Sequence, residues 1–402
     1  MLRSSHPLWQ AAHRPLFFCA GLCAALAPAV WLWPGGFGTD PVRWHLHELL
    51  FGMGGAAVGG YLLTALPSWT GAGPVSPQNV RALTLLWVLA RLALLWAKIL
   101  PFELLLPLAL GYFGLLAMVL ARQLIAVRAW SRLWSVAAIV GLVLGDAVFL
   151  ADLRGLHDAS AASAAMVLLF ASLITVIGGR AVPAFTRSWL QGFAPLRHVH
   201  DQQTLSTLAI AGTVLGGGLA LSGQDAAAGL FLLLAGVLQC VRLAGWQTLR
   251  ARHYPALFML HLAWVWVPTG LILLGVAMLR PDVLPQSAAL HALTMGAMGA
   301  MILAIAARAA MARLDDKPIA GRGLAVAFAP VWSAALLRVA SPFIPWGWPD
   351  PVTASATMWM LGWAIFLWAY RPALQGALPW PILSARRRDT KVRPAPVVSA
   401  RP

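Results

Sequence analysis

The chain has 402 residues, of which 60% are hydrophobic and only 10% charged, against about 25% charged in an average soluble domain. That is too little polar material to wet the surface of a soluble protein of this length, so lipid is the expected solvent for most of it. The formal net charge of +16 sits in short segments between apolar runs, not in a patch interleaved with aromatics; this favours topological retention and contact with anionic lipid and excludes nucleic acid as a partner.

The first residues are mixed, and the apolar run behind them lacks a small-residue cleavage site, so no removable signal peptide is expected. Twelve apolar runs follow, near residues 16–33, 44–66, 82–98, 103–121, 133–151, 159–179, 203–222, 226–248, 256–279, 286–307, 322–340 and 354–370. Each is long enough for a helix to cross a hydrocarbon core of ~30 Å, and none alternates as a barrel strand would. The twenty Trp against four Tyr suit the many water–lipid boundaries this implies. Cys19, Cys23 and Cys240 make no disulfide framework and read as small apolar packing. The expected fold is all-α: one polytopic membrane bundle over residues 1–380, followed by a basic, disordered tail over 381–402. The connection 180–202 has room for a short surface helix, and no internal repeat is evident.

Charge fixes the expected orientation. With the N-terminus inside and the runs alternating, 23 of the 29 Lys and Arg fall inside and 5 outside, with Arg91 within a span. Arg338 is among the outer five. Both termini are therefore expected on the cytoplasmic side.

A polar residue within a span costs free energy and is a functional candidate by default. Here these are His45, His47, Glu48, Arg91, Asp146, His261 and His291. In the second run, Trp44-His45-Leu46-His47-Glu48, helical spacing puts His45, Glu48, Gly52, Gly55 and Gly59 on one face, with His47 turned about 200° away. The glycine strip would admit a neighbouring helix or a flat macrocycle. His291, Thr294, Met295 and Met298 share a face of the tenth run, and imidazole with thioether suits a soft metal such as Cu(I) or a haem iron. His261 lies toward the inner side. Asp146 is a proton-relay candidate or the partner of a buried cation such as Arg91. His6 and His13, on the inner side with His261, are candidates for a second site. There is no Cys-x-x-Cys-His, Walker loop or Gly-x-Ser-x-Gly elbow.

Four stretches together resemble the NnrS family, bacterial membrane proteins associated with the response to nitric oxide and described as binding haem and copper. They are His6-Pro7-Leu8-Trp9 with His13-Arg14-Pro15-Leu16-Phe17-Phe18; Trp44 to Gly52 running on to Leu63-Thr64-Ala65-Leu66-Pro67-Ser68-Trp69-Thr70-Gly71; Gly178 to Leu190; and His291 to Gly299, closing at Arg308. The resemblance implies haem and copper as cofactors, nitric oxide as the small molecule encountered, and the bacterial inner membrane as location. It casts His45, His47, His261 and His291 as cofactor ligands, with His45, His47, His291 and Met295 as the metal set and Glu48, Asp146, Arg180 and Arg308 in support. The chain departs from the family after Arg308, where a Gly-His-Thr-Gly-Arg stretch is replaced by Met311-Ala312-Arg313-Leu314-Asp315-Asp316-Lys317-Pro318. Two other classes fit the same inventory: a transporter of a metal ion or small metal complex using His, Met and Asp146, and an electron-transfer subunit with haems stacked between His45 and His261. Whether the protein is an enzyme, and its oligomeric state, are not legible.

Overall fold

A long apolar run in lipid hides its backbone N–H and C=O groups by coiling. In the computed structural model, twelve helices among the described residues are long and apolar enough to cross a membrane: α1 His13–Trp31, α2 Pro41–Thr70, α3 Pro77–Leu95, α4 Phe102–Ala126, α5 Trp130–Leu153, α6 Ala161–Gly192, α7 Gln203–Leu221, α8 Asp225–Ala244, α9 Pro255–Leu279, α10 Gln286–Ala310, α11 Gly323–Phe343 and α12 Pro351–Leu374. The chain is thus a multi-pass membrane protein built on a helical bundle. The structure describes residues 6–32, 40–97, 99–156, 158–193, 198–310, 312–314, 317–319, 322–345, 347 and 350–375. The expected tail over 381–402 lies outside the described residues, as do Met311, Asp315 and Asp316 of the divergent stretch. Around these, Ala312–Leu314 pairs antiparallel with Lys317–Ile319.

The helix count matches the apolar runs, but one connection does not. Residues 180–193 form no separate surface helix; they extend the sixth span, in a helix running from Ser160 to Phe193. It continues through Pro183, which cannot donate to the carbonyl four residues back and so frees Gly179 O. The Arg242 guanidinium of α8 fills that vacancy, with Nη2 2.9 Å from Gly179 O, while Nε donates to Asp201 and Nη1 to Gln239, each at 3.0 Å. Trp246 and Trp264 flank the same cation, 5.1 and 5.6 Å from their ring centres.

The same device recurs in α1. Pro28 frees the Ala24 carbonyl, and Trp359 Nε1 of α12 donates to it at 2.8 Å. Trp359 is 1% exposed, so no water replaces the bond. Trp359→Phe should therefore lower stability by about 1–3 kcal/mol through one unsatisfied carbonyl, read as an earlier thermal transition in detergent. An unchanged transition would mean that Ala24 O finds another donor.

Two spans begin with the same signal. Asp40 before Pro41 accepts from Val42 N and Arg43 N at 2.8 and 3.1 Å, and Asp350 before Pro351 accepts from Val352 N and Thr353 N at the same distances. Proline at the first helical position lacks a donor that would be unsatisfied there anyway, and the aspartate caps the next two. The Thr353 hydroxyl also donates to Asp350 and holds its carboxyl below the usual carboxylate range.

Both described ends meet at one end of the bundle. Arg14 donates to Pro7 O and Leu374 O at 2.8 and 3.4 Å, and Tyr370 Oη donates to His13 O at 2.9 Å. This is the near end, where odd-numbered spans start; even-numbered spans start at the far end. The bundle is centred on α2, where 83% of the most apolar stretch is buried, then α1 at 72% and α10 at 67%, against 33% for α11 and α12. The spans that carry His45, His47, Glu48 and His291, α2 and α10, are therefore among the three most enclosed.

Candidate metal centre

The far ends of α2 and α10 depart from α-helical geometry at matching places. Glu48–Gly54 and Ala292–Gly299 are π-helical, a local widening that recurs at functional sites and frees backbone groups. In α2 the carbonyls are taken up from three neighbouring helices. Cys23 Sγ of α1 donates to Glu48 O at 3.2 Å, Trp87 Nε1 of α3 to Gly52 O at 2.9 Å, and Tyr112 Oη of α4 to Gly55 O at 3.0 Å. Cys23 is thus a hydrogen-bond donor as well as packing. The glycine strip receives neighbouring side chains, not a macrocycle: a Cβ on Gly52 would sit 2.7 Å from Cys23 Sγ and 3.0 Å from Arg91 Nη1, and one on Gly55 would sit 2.6 Å from the Phe113 ring.

The two segments also share a sequence pattern. His47, Leu49, Gly52, Gly55 and Ala56 stand at the same offsets as His291, Leu293, Gly296, Gly299 and Ala300. This short internal match escapes a search for domain-sized repeats and becomes visible once the two π-helical segments are compared.

Between them a cavity opens at the far end, partly enclosed by these two helices and their neighbours. Its lining brings together His45, Met53, His291, Met295, Met298 and Arg338. Trp31 and Trp359 add aromatic walls. The His45 ring meets Trp31 edge-on, centroids 5.7 Å apart, and its Nδ1 is buried without a hydrogen-bond partner. His291 Nδ1 lies 2.6 Å from Ser287 O. A carbonyl only accepts, so Nδ1 carries the proton and the lone pair of the neutral ring is on Nε2. This is the arrangement of a metal-ligating histidine, whose second nitrogen is fixed by a backbone acceptor. Among the described residues, no carboxylate lines the cavity, and Arg338 is its one charged side chain.

His47 turns away from that cavity into a charged cluster. Its Nε2 is 2.7 Å from Asp146 Oδ1 and its Nδ1 is 3.6 Å from Glu48 Oε1. Arg91 Nη1 lies 2.8 Å from Glu48 Oε1. The partner expected for Asp146 is therefore corrected: Asp146 holds His47, and Arg91 is taken by Glu48, because the Cβ-less Gly52 lets the Arg91 head reach α2. Arg43 pins the mouth of α2 to α5, 3.3 Å from Asp152.

His261 stands at the near end, away from His291. Thr186 Oγ1 donates to Val182 O at 2.8 Å, so at 2.9 Å it accepts from His261 Nε2–H, and Thr248 Oγ1, 3.0 Å from Nδ1, then donates to the remaining lone pair. Both nitrogens of this fully buried ring are thereby used. Arg308, also at the near end, lies over the Phe185 ring at 3.8 Å, and Arg180 is exposed. His6 caps the turn Pro7–Gln10 through Leu8 N, and His13 is buried with Nδ1 unpartnered. Among the described residues, no three His, Cys, Asp or Glu side chains converge as a metal-ligand cluster. The donors gathered at the far end are instead two imidazoles with three thioethers, a soft set. Sequence reasoning missed Met53 and Arg338. The first sits inside a glycine-rich run, and the second is brought in by a span remote in sequence.

The comparisons bear on the whole of this arrangement. A family described as NnrS protein matches residues 7–377, a stretch holding all twelve spans and the entire cavity lining. A comparison with curated proteins returns no match. On the extent of the family match, the chain belongs to the NnrS family.

Proposed function

We propose that this chain is a haem- and copper-binding protein of the bacterial inner membrane, with both termini cytoplasmic, that responds to or protects against nitric oxide. One observation carries the reading: His45 and His291 line one cavity with Met53, Met295 and Met298, and each ring keeps a nitrogen without a hydrogen-bond partner. Family membership supports the cofactors, and the Lys and Arg distribution supports the orientation.

The residues present fit both metals. Imidazole is the common protein ligand of haem iron, and imidazole with thioether suits cuprous ion. His45 and His291 would hold metal, with Met295 beside them. The Ser287 carbonyl keeps the His291 proton on Nδ1, so Nε2 is presented without a rotation or proton shift. Arg338 would pair with the carboxylates of the macrocycle. Trp31 and Trp359 would limit water at the walls. Bound haem would supply a ferrous iron to which nitric oxide can attach. His47 acts through position: tied to Asp146, it fixes the turn of α2 that carries His45.

The test is the visible absorption spectrum of protein purified in mild detergent, taken oxidised, reduced, and reduced with nitric oxide. A Soret band that moves at each step is expected. A flat spectrum from folded protein made with ample haem would overturn the haem reading.

A further inference from the structure

A second cavity lies next to the first and shares one side chain with it, Met298. Its walls come from four spans: Phe17 of α1, Val58 of α2, Phe170 and Ile174 of α6, and Met301 and Ile305 of α10. On α10, Met298 is seven residues past His291 and Ile305 fourteen, so at 1.5 Å per residue the cavity spans depths of ~10–20 Å along the helix from the histidine. Met298 is the midpoint of α10, so the cavity begins at mid-span, at a depth that faces hydrocarbon when the helix crosses a bilayer.

Its chemistry is the reverse of the first cavity's. Among the described residues, no charged side chain and no imidazole lines it, and Tyr61 brings the one hydroxyl. An apolar cavity without polar partners stays dry and takes small apolar solutes instead. Phe17, Phe170, Met298 and Met301 are all 2% exposed or less, whereas Tyr61, Ile177, Ile302 and Ile305 are half-buried. The second group gives the cavity a side at the protein surface, and at this depth the surface faces hydrocarbon. A solute using both cavities must therefore dissolve in lipid, carry no charge, and pass one methionine. Methionine is suited to that, with three rotatable bonds and no branch.

We propose that this cavity binds a small apolar diatomic gas drawn from the bilayer and that Met298 is the gate between it and the His45–His291 cavity. The destination rests on the metal reading given above; the gas site itself does not. No bond is made or broken in this step.

Xenon is the probe for the site. Metal-free protein in lipid nanodiscs should show saturable xenon binding by ¹²⁹Xe NMR, and crystals under xenon pressure should hold an atom between Phe17, Phe170 and Met301. Ile174→Trp and, at the rim, Ile305→Trp should each abolish it; two variants on different helices guard against loss through misfolding of one. Metal-loaded protein tests the gate. Rapid mixing with nitric oxide should give association at least ~10-fold slower in these variants, since on-rates in one system vary over one to three decades, with the absorption spectrum unchanged. An empty cavity under xenon, or an acyl chain in it, would overturn the site. Unchanged association in a variant that has lost xenon would overturn the gate. If the wild-type protein takes up no metal, the metal reading fails and xenon alone decides the gas site.

Discussion

His291→Ala should strip the metal from this protein while leaving it folded. Removing an outer partner of a metal-bound histidine typically costs ~10–100-fold in metal affinity, and removing the ligand itself should cost at least as much. Folding should survive because the ring is half-buried and its one hydrogen bond runs to Ser287 O within its own helix. His45→Ala should behave alike. His261→Ala provides the contrast: it deletes a fully buried ring bonded to Thr186 and Thr248, so the thermal transition should fall while metal per protein stays at the wild-type level. Metal analysis together with size-exclusion profiles of the three variants distinguishes the roles. Wild-type metal content in folded His291→Ala would remove this residue from the site. Loss of metal in folded His261→Ala would move the centre to the near end.

What the sequence discloses here depends on the length scale of the signal. Twelve apolar runs make twelve spans because the bilayer imposes a length on each, and a misjudged boundary, such as the one after residue 179, changes no count. That helix continues past Pro183 because Arg242, from two spans later, donates to the Gly179 carbonyl that the proline leaves without a partner, and a pairing at that separation has no local sign. The site shows the same division. His45 and His291 stand out as polar residues in lipid, and regular helical geometry already separates His45 from His47. The π-helical widening of Glu48–Gly54 is not legible, since it depends on Cys23, Trp87 and Tyr112 arriving from three other helices to take up carbonyls. Arg338 was legible as an outer-side charge, but its place in the cavity follows from the packing of α11 and α12 against α1 and α10.

The charged cluster beside the cavity should prove structural, and a double-mutant cycle on Glu48 and Arg91 is the way to establish it. The two side chains are 7% and 13% exposed and 2.8 Å apart. Arg91→Met would leave the Glu48 carboxylate buried against Cys23 Sγ with its cation gone. Breaking a buried pair from one side typically costs about 3–5 kcal/mol, whereas replacing both partners by neutral groups of similar size is often close to neutral. Glu48→Gln with Arg91→Met should therefore recover most of the stability that Arg91→Met alone loses. The measurement is thermal unfolding of the wild type, both single variants and the double variant in the same detergent. None of these groups lines the His45–His291 cavity, so the double variant should also keep its metal. Additive losses would mean that the two residues do not act as a pair. A different pattern would support the transporter class: stability nearly unchanged throughout, metal retained weakly or not at all, and uptake into sealed vesicles abolished in every variant and in Asp146→Asn. Carboxylates that carry a coupled ion must change partners during transport, whereas carboxylates that only hold helices together need never let go. The observed contacts favour the second case. Asp146 is committed to His47 at 2.7 Å, Glu48 to Arg91 at 2.8 Å, and Gly52 is free of a Cβ just where the Arg91 head must pass.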